Sequence, residues 1–571
     1  MPPCRRAAPW LLSLALAASA PAAALAQGNR PAQRARPAPS TVPAITARDL
    51  ETRLFIFAAD SMEGREAGTP GNVRATDYIA RELARLGLVP GGDAGGYFQT
   101  IPLKIRTWDT TSTFAVGGVQ LAPVRDYVPV VREAIAAAAL PIVHGGALDD
   151  PVQRLAPEQA AGRLVVLTVR PGASPFRLLR AAAPPPGAAA LAVVALDSLP
   201  ARFRAFLTRP QAFLDDTAAR RSRTPVFLVS AAAAAKMFPA PLDRLAVGAP
   251  GDTAALAIRY QVAPTPYPAR NVIGILPGSD PKLRGEYVAI GAHNDHIGVL
   301  RPPVDHDSIR IWNLVVRPEG ADDAGKEATP AQQARVDSLL AAFRARHPGA
   351  DRPDSIANGA DDDGSGSVAA LEIAERFATL PRKPRRSILF VWHTAEEKGL
   401  LGSRYFTDHP TVPRDSIVAQ LNMDMVGRGG ADDETGRTKD GAPLHGGPRY
   451  LQLVGSRRLS TELGDLIERV NTADRHDLVL DYSIDADGHP ANIYCRSDHY
   501  EYARYGIPIT FFTTGLHADY HQVTDEPEYI DYAHMARVAR FVADVALHVA
   551  NLDHRLAVDR PKPDPDAPCR Q

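Results

Sequence analysis

One residue separates His293 from Asp295, three carboxylates adjoin at Asp361, Asp362 and Asp363, two glutamates adjoin at Glu396 and Glu397, and Asp424 and His521 follow downstream. Imidazole nitrogen and carboxylate oxygen without thiolate are the donors of a catalytic zinc site, which leaves room for water. A neutral imidazole at His293 can bind a metal while Asp295 holds its other ring nitrogen. His296 competes for the same role, and spacing does not separate the two. Contiguous carboxylates repel one another, so a cation is a natural reason to gather Asp361 to Asp363. The bland alternative is a solvated acidic turn ahead of a helix. At Glu396 and Glu397 one carboxylate can coordinate while the other shuttles a proton. A charge at Asp424, closing the apolar run Leu421 to Met423, needs a partner or a metal.

These residues follow successive predicted strands: Tyr287 to Ile290, Ile388 to Trp392, Ile417 to Met423 and Ile509 to Phe512. Strands alternating with helices make an α/β sheet whose strand ends carry function. One helix is predicted after Ser365, with Val368, Leu371 and Ile373 toward a core, ending at Pro381. Another carries the stripe Met535, Val538, Val542, Val545 and Val549. Upstream, Thr46 is placed to cap a helix bearing Leu50, Leu54 and Phe57, with Asp49 at its third position. A second helix spans about Gly71 to Leu86 and stops at Gly87.

The 571 residues exceed one ordinary domain, and a formal charge of −1 with balanced acids and bases advertises no basic face for nucleic acid. Residues 1–26 read as a signal peptide: Arg5 and Arg6, an apolar run from Trp10, and a small-x-small end at Ala24 and Ala26. The chain is therefore expected to be exported, to the periplasm or beyond, with no membrane span after cleavage. Residues 27–45 form a Pro- and Ala-rich linker. Residues 119–261, short apolar strands between Ala, Pro and Gly segments, are expected to be an inserted, noncatalytic β-rich domain. It divides a main domain at 46–118 and 262–553. Residues 299–357 are a polar excursion with one helix near Gln332 to Arg346, and residues 554–571 a loose tail. Once the leader is removed only Cys495 and Cys569 remain, enough for one bridge but not for a cysteine zinc site.

In this order the motifs resemble those of the co-catalytic di-zinc aminopeptidases of the bacterial secreted leucyl aminopeptidase and aminopeptidase Y type. The matching stretches are His293-x-Asp295, Gly359-Ala360-Asp361-Asp362-Asp363-Gly364-Ser365-Gly366, Glu396-Glu397-x-Gly399-x-x-Gly402-Ser403, Asn422-Met423-Asp424-Met425-Val426-Gly427 and Tyr520-His521-x-x-x-Asp525. Met62-Glu63-Gly64-Arg65 and Ser497-Asp498-His499 add to them. The resemblance implies a three-layer α/β/α sandwich with a central mixed sheet and a protease-associated domain as the insert. It implies two zinc ions bridged by Asp362 across a cis peptide to Asp363. His293 and Asp424 would complete one ion, and Glu397 and His521 the other. Glu396 becomes the general base and Asp295 the partner of His293. The similar run Gly320-Ala321-Asp322-Asp323 drops out, since it lacks the Gly-Ser-Gly ending and lies far upstream of Glu396. The implied activity is cleavage of the N-terminal peptide bond of peptides. A carboxypeptidase or other amidase, or a noncatalytic receptor-like protein, are the alternatives on the same scaffold. The segment between His293 and Asp362 is longer than in compact members, and is expected to shape the pocket rim.

Overall fold

The computed structural model describes residues 41–571 apart from 149, 151–154, 171–184, 200–203, 205–206, 217–223, 324–325, 350–351 and 429–446. The expected signal peptide and most of the linker lie outside the described residues. Thr46 caps the first helix as its sequence predicts, accepting a hydrogen bond from the Asp49 N–H at 3.1 Å, and the helix runs Ala47–Phe57. Pro70, whose fixed φ suits a first helical position, opens the next at Pro70–Arg85.

The nine-stranded mixed sheet holds the functional strand ends. Tyr287–His293 lies at its centre, parallel to Ser387–His393 on one side and to Ile417–Met423 on the other. Ile509–Thr513 continues the parallel set beyond Ile417–Met423, while Ala269–Leu276 and Tyr450–Val454 pair antiparallel outside it. In Ser387–His393 the period-two alternation sends Ile388, Phe390 and Trp392 into one apolar cluster and Leu389 and Val391 into another. The first cluster contains the helices Ala47–Phe57, Pro70–Arg85, Gly366–Thr379 and Tyr532–Asn551, and the second contains Phe406 of the helix Leu401–Asp408. Helices thus cover both faces, giving the expected three layers. The stripe Met535, Val538, Val542, Val545 and Val549 is fully buried. Arg53, itself buried, fastens the first helix to Gly366–Thr379 through hydrogen bonds to Glu372 and Glu375, both 2.5 Å. No helix among the described residues is long and apolar enough to cross a membrane.

A second, eight-stranded sheet is built from strands between Thr113 and Ile258, with its own apolar clusters around Phe114, Phe227 and Leu256 and around Val165 and Leu228. Its first strand, Thr113–Val116, pairs with Val119–Gln120, so the sheet begins ahead of residue 119. Leu103–Trp108, Gln211–Leu214 and Tyr260–Pro264 form a separate three-stranded sheet. The excursion folds as two strands, Gly298–Asp305 and Pro353–Ala357, which pair with each other around helices His306–Val316 and Pro330–Arg346. The tail, expected to be loose, is anchored instead. Asp559 accepts the Thr461 N–H at 3.0 Å, and Cys569 is bonded to Cys495. The Gln571 amide oxygen accepts the Tyr494 N–H at 3.0 Å. Such polar anchors carry no hydrophobic period for a sequence reading to find.

Candidate metal centre

His293 ends its strand, and its side chain is fixed from two directions. Its N–H donates to Asp363 Oδ2 at 2.9 Å, and its Nδ1 lies 3.1 Å from the Asp295 carbonyl oxygen. That leaves Nε2 facing Asp362 Oδ1 at 3.1 Å and Asp424 Oδ1 at 3.6 Å. The Asp295 carboxylate is 3.7 Å from Nδ1, so it is the Asp295 backbone that orients the ring most closely.

Folding sorts the three adjacent acids by role. Asp361 turns inward, accepting the Gly427 N–H at 2.6 Å and approaching His517 Nε2 at 3.1 Å. Asp363 also turns away, accepting the N–H groups of His293 and Gly366, both at 2.9 Å. Only Asp362 enters the cluster, and the peptide joining it to Asp363 is cis. The loop is clamped from both sides. Asp525 accepts the N–H groups of Asp361 and Asp362 at 3.0 and 3.1 Å, while the buried Arg65 guanidinium donates to the carbonyls of Asn358 at 2.5 Å and Gly359 at 2.7 Å. Burial lowers Arg65 to about 10, and the surrounding carboxylates of Asp525 and Asp362 act to keep its charge.

Asp362, Glu397 and His521 converge. His521 Nε2 lies 3.0 Å from both Asp362 Oδ2 and Glu397 Oε2. Burial disfavours the His521 imidazolium, but Glu397 and Asp362 push it up to about 10; burial likewise opposes ionised Glu397, yet His521 holds it down at about 2. Asp424 follows Ile417–Met423 and accepts from Ser497 Oγ at 2.7 Å. All five sequence-predicted ligands therefore stand together, as two donor sets that share Asp362. One set is His293, Asp362 and Asp424. The other contains His296 besides Asp362, Glu397 and His521. Sequence alone raised His296 only as a rival to His293.

Glu396 lines the same cleft as Asp362, Asp424 and His521. Burial, reinforced by the charges of Glu397 and Asp424, raises its carboxyl well above the usual range. Met425, Ile484, Ile493, Phe511 and Leu516 give the cleft an apolar wall. Arg496 lies on this wall and pairs with Asp322 of the excursion, Nη1 to Oδ2 at 2.5 Å and Nη2 to Oδ1 at 3.0 Å. Ser497, Asp525, Arg496 and Asp322 had no role assigned from sequence. Ser497 and Asp525 fell inside quoted motifs, whereas no local pattern marks Asp322 and Arg496, 174 positions apart.

The donor set fits a metal. Nε2 of His293, Nδ1 of His296, Oδ2 of Asp362, Oε1 of Glu397 and Oδ1 of Asp424 are buried atoms that make no hydrogen bond although they face one another. Buried polar atoms left so are costly, and a cation satisfies carboxylate and imidazole together.

The profile of Peptidase family M28 matches residues 333–546. Leucine aminopeptidase 1 of Coccidioides posadasii (strain C735) is 31% identical over 205 residues, which are 34% of this chain and 47% of that protein. A probable zinc metalloprotease of Pyricularia oryzae is 30% identical over 223 residues, 34% of this chain and 43% of that protein. The chain spans less than half the length of these relatives. Among solved structures, an aminopeptidase from Aneurinibacillus sp. strain AM-1 aligns with a TM-score of 0.47 at 16% identity, covering 91% of this chain and 97% of that one. The matched stretch supplies Asp362, Glu396, Glu397, Asp424 and His521, and the chain therefore carries a Peptidase family M28 domain at residues 333–546.

Proposed function

We propose that this chain is an exported aminopeptidase that holds two zinc ions and hydrolyses the peptide bond next to a free N-terminus. The observation that carries the reading is the convergence of two donor sets on Asp362, with Glu396 in the same cleft and outside both sets. A leucine aminopeptidase and a probable zinc metalloprotease among the relatives support it. The Cys495–Cys569 bond supports an oxidising compartment, in keeping with the leader-like N-terminus.

His293, Asp362 and Asp424 would hold one zinc, and Asp362, Glu397 and His521 the other; when bound, zinc supplies Lewis acidity toward the scissile carbonyl and the attacking water. Glu396 then acts through its own carboxylate. It takes the proton released as water attacks the carbonyl carbon, and delivers it to the departing amine nitrogen. Burial raises that carboxyl above the usual range, the direction that favours its holding a proton between the two halves of the transfer. The apolar wall formed by Met425, Ile493 and Phe511 accepts an uncharged side chain.

Digestion of a panel of free and end-blocked peptides, with and without chelator and read by mass spectrometry, tests the proposal. Stepwise loss from free N-termini, abolished by chelator and restored by zinc, is expected. Cleavage from the C-terminal end would replace the reading with a carboxypeptidase. Absence of cleavage by a zinc-loaded chain would favour a binding protein.

A further inference from the structure

We infer that His296 is a protein ligand, so that one of the two zinc positions has four protein donors and the other three. The inference rests on the zinc-dependent reading above and goes beyond its five ligands. His296 is fully buried, and its Nδ1 lies 2.8 Å from Glu397 Oε1 and 3.7 Å from Asp362 Oδ2. With the two 3.0 Å separations from His521 Nε2 to Asp362 and Glu397, four donor atoms occupy one small volume. Donors about 2 Å from a tetrahedral zinc lie roughly 3.3 Å from one another, the scale of these separations.

The backbone is shaped to bring the ring there. The His296 N–H donates to the Arg65 carbonyl at 3.3 Å. On its far side Gly359, at φ +56°, packs against the imidazole, where a Cβ would come within 2.5 Å of the ring carbons. Neither ring nitrogen has a hydrogen-bond partner. An imidazole that only filled space would gain nothing from presenting Nδ1 to two carboxylates. A position closed by four protein donors resembles a structural zinc site, and one with three keeps an open place for water or substrate. The three-donor set, His293, Asp362 and Asp424, thereby keeps a free coordination place and is the more exchangeable position, and the set containing His296 is the retentive one.

X-ray absorption at the zinc edge, on the full chain loaded with two zinc ions, reads imidazole scattering directly, independently of activity. Three imidazoles shared by two ions are expected in the wild type, falling to two in His296→Ala. Chelator competition should show one ion leaving well before the other in the wild type. In His296→Ala the slower ion is expected to lose affinity by about 100-fold or more. His296→Gln, which keeps volume and polarity, stands in if the alanine variant fails to fold. A variant that binds two ions with unchanged imidazole scattering would overturn the inference alone. A wild-type chain that takes up no zinc would overturn it together with the proposed function.

Discussion

The backbone N–H of Glu396 donates to Oδ1 of Asp295 at 3.1 Å. Through its carbonyl the same aspartate holds His293 Nδ1 at 3.1 Å. Asp295 is buried, so it ties the strand end bearing the His293 imidazole to the turn bearing the proposed base. Asp295→Ala is expected to lower kcat by about 10- to 100-fold, the range for groups that orient ligands. Asp295→Asn, which keeps an acceptor for the Glu396 N–H, should recover part of the loss. Steady-state kinetics on an aminoacyl substrate checks this, and equal losses in both variants would contradict a positioning role through that hydrogen bond.

Glu396 belongs to neither donor set, and this separates proton transfer from metal binding. Glu396→Gln removes the proton acceptor at nearly constant volume. The expected result is retention of zinc with kcat lowered by about 100- to 10,000-fold. Elemental analysis alongside kinetics checks both halves, and a variant that lost zinc would place Glu396 among the ligands instead.

The Cys495–Cys569 bond closes a separation of 74 residues and holds the anchored tail against the segment carrying Ile493, Arg496 and Ser497. Replacing both cysteines by serine should cost about 2–4 kcal/mol of stability, as expected for a bridge across a long loop. Because Ile493 and Arg496 line the cleft, KM should rise more than kcat falls. Denaturant unfolding and kinetics of the double variant measure the two effects.

The fully buried His499 stacks on Phe511, ring centroids 4.8 Å apart, and burial lowers its pKa from the ordinary 6.5 to about 3. The folded state therefore binds fewer protons at this site than the unfolded state between those two values. Its contribution to stability is complete above pH 6.5 and declines as pH falls toward 3, by about 1.4 kcal/mol per unit from this group alone. His499→Phe should flatten the dependence of unfolding free energy on pH in that window. An unchanged slope would exclude His499 as its source.

Much of the site was legible because its residues sit where strand patterns end. His293, Asp424 and the pair at Glu396 follow continuous apolar runs, and buried parallel strands produce such runs. What a linear reading left open was settled by contacts between distant segments. Asp361 and Asp363 are excluded from the cluster by the N–H groups of Gly427, Gly366 and His293, and nothing in the acidic run encodes which acid those donors meet. The choice between His293 and His296 was posed as exclusive, yet a turn after the strand brings both rings to Asp362, from opposite sides of the shared carboxylate. The tail was misjudged for a similar reason: four prolines and mixed charge describe its composition, but a disulfide and the Gln571 side chain decide its placement.

Asp322 illustrates how the long excursion reaches the cleft. Its loop is held by the Ala321 N–H donating to the Tyr520 carbonyl at 3.1 Å, next to His521 of the donor cluster. From there its carboxylate takes both terminal nitrogens of Arg496, a fork-to-fork pairing that leaves the cleft wall electrically balanced. Without Asp322 the same guanidinium would face bound peptide as an uncompensated cation. Asp322→Ala is therefore expected to raise kcat/KM for peptides with an acidic side chain at or beside the cleaved bond, by about 5- to 30-fold relative to a leucine substrate, the effect of one or two kcal/mol. Arg496→Met should abolish this gain when added to Asp322→Ala, because no cation then remains. Competition between acidic and apolar peptides in one digest reads the ratio directly. If the ratio stayed constant across the single and double variants, the pair would be a support for the wall and not a determinant of what the cleft accepts.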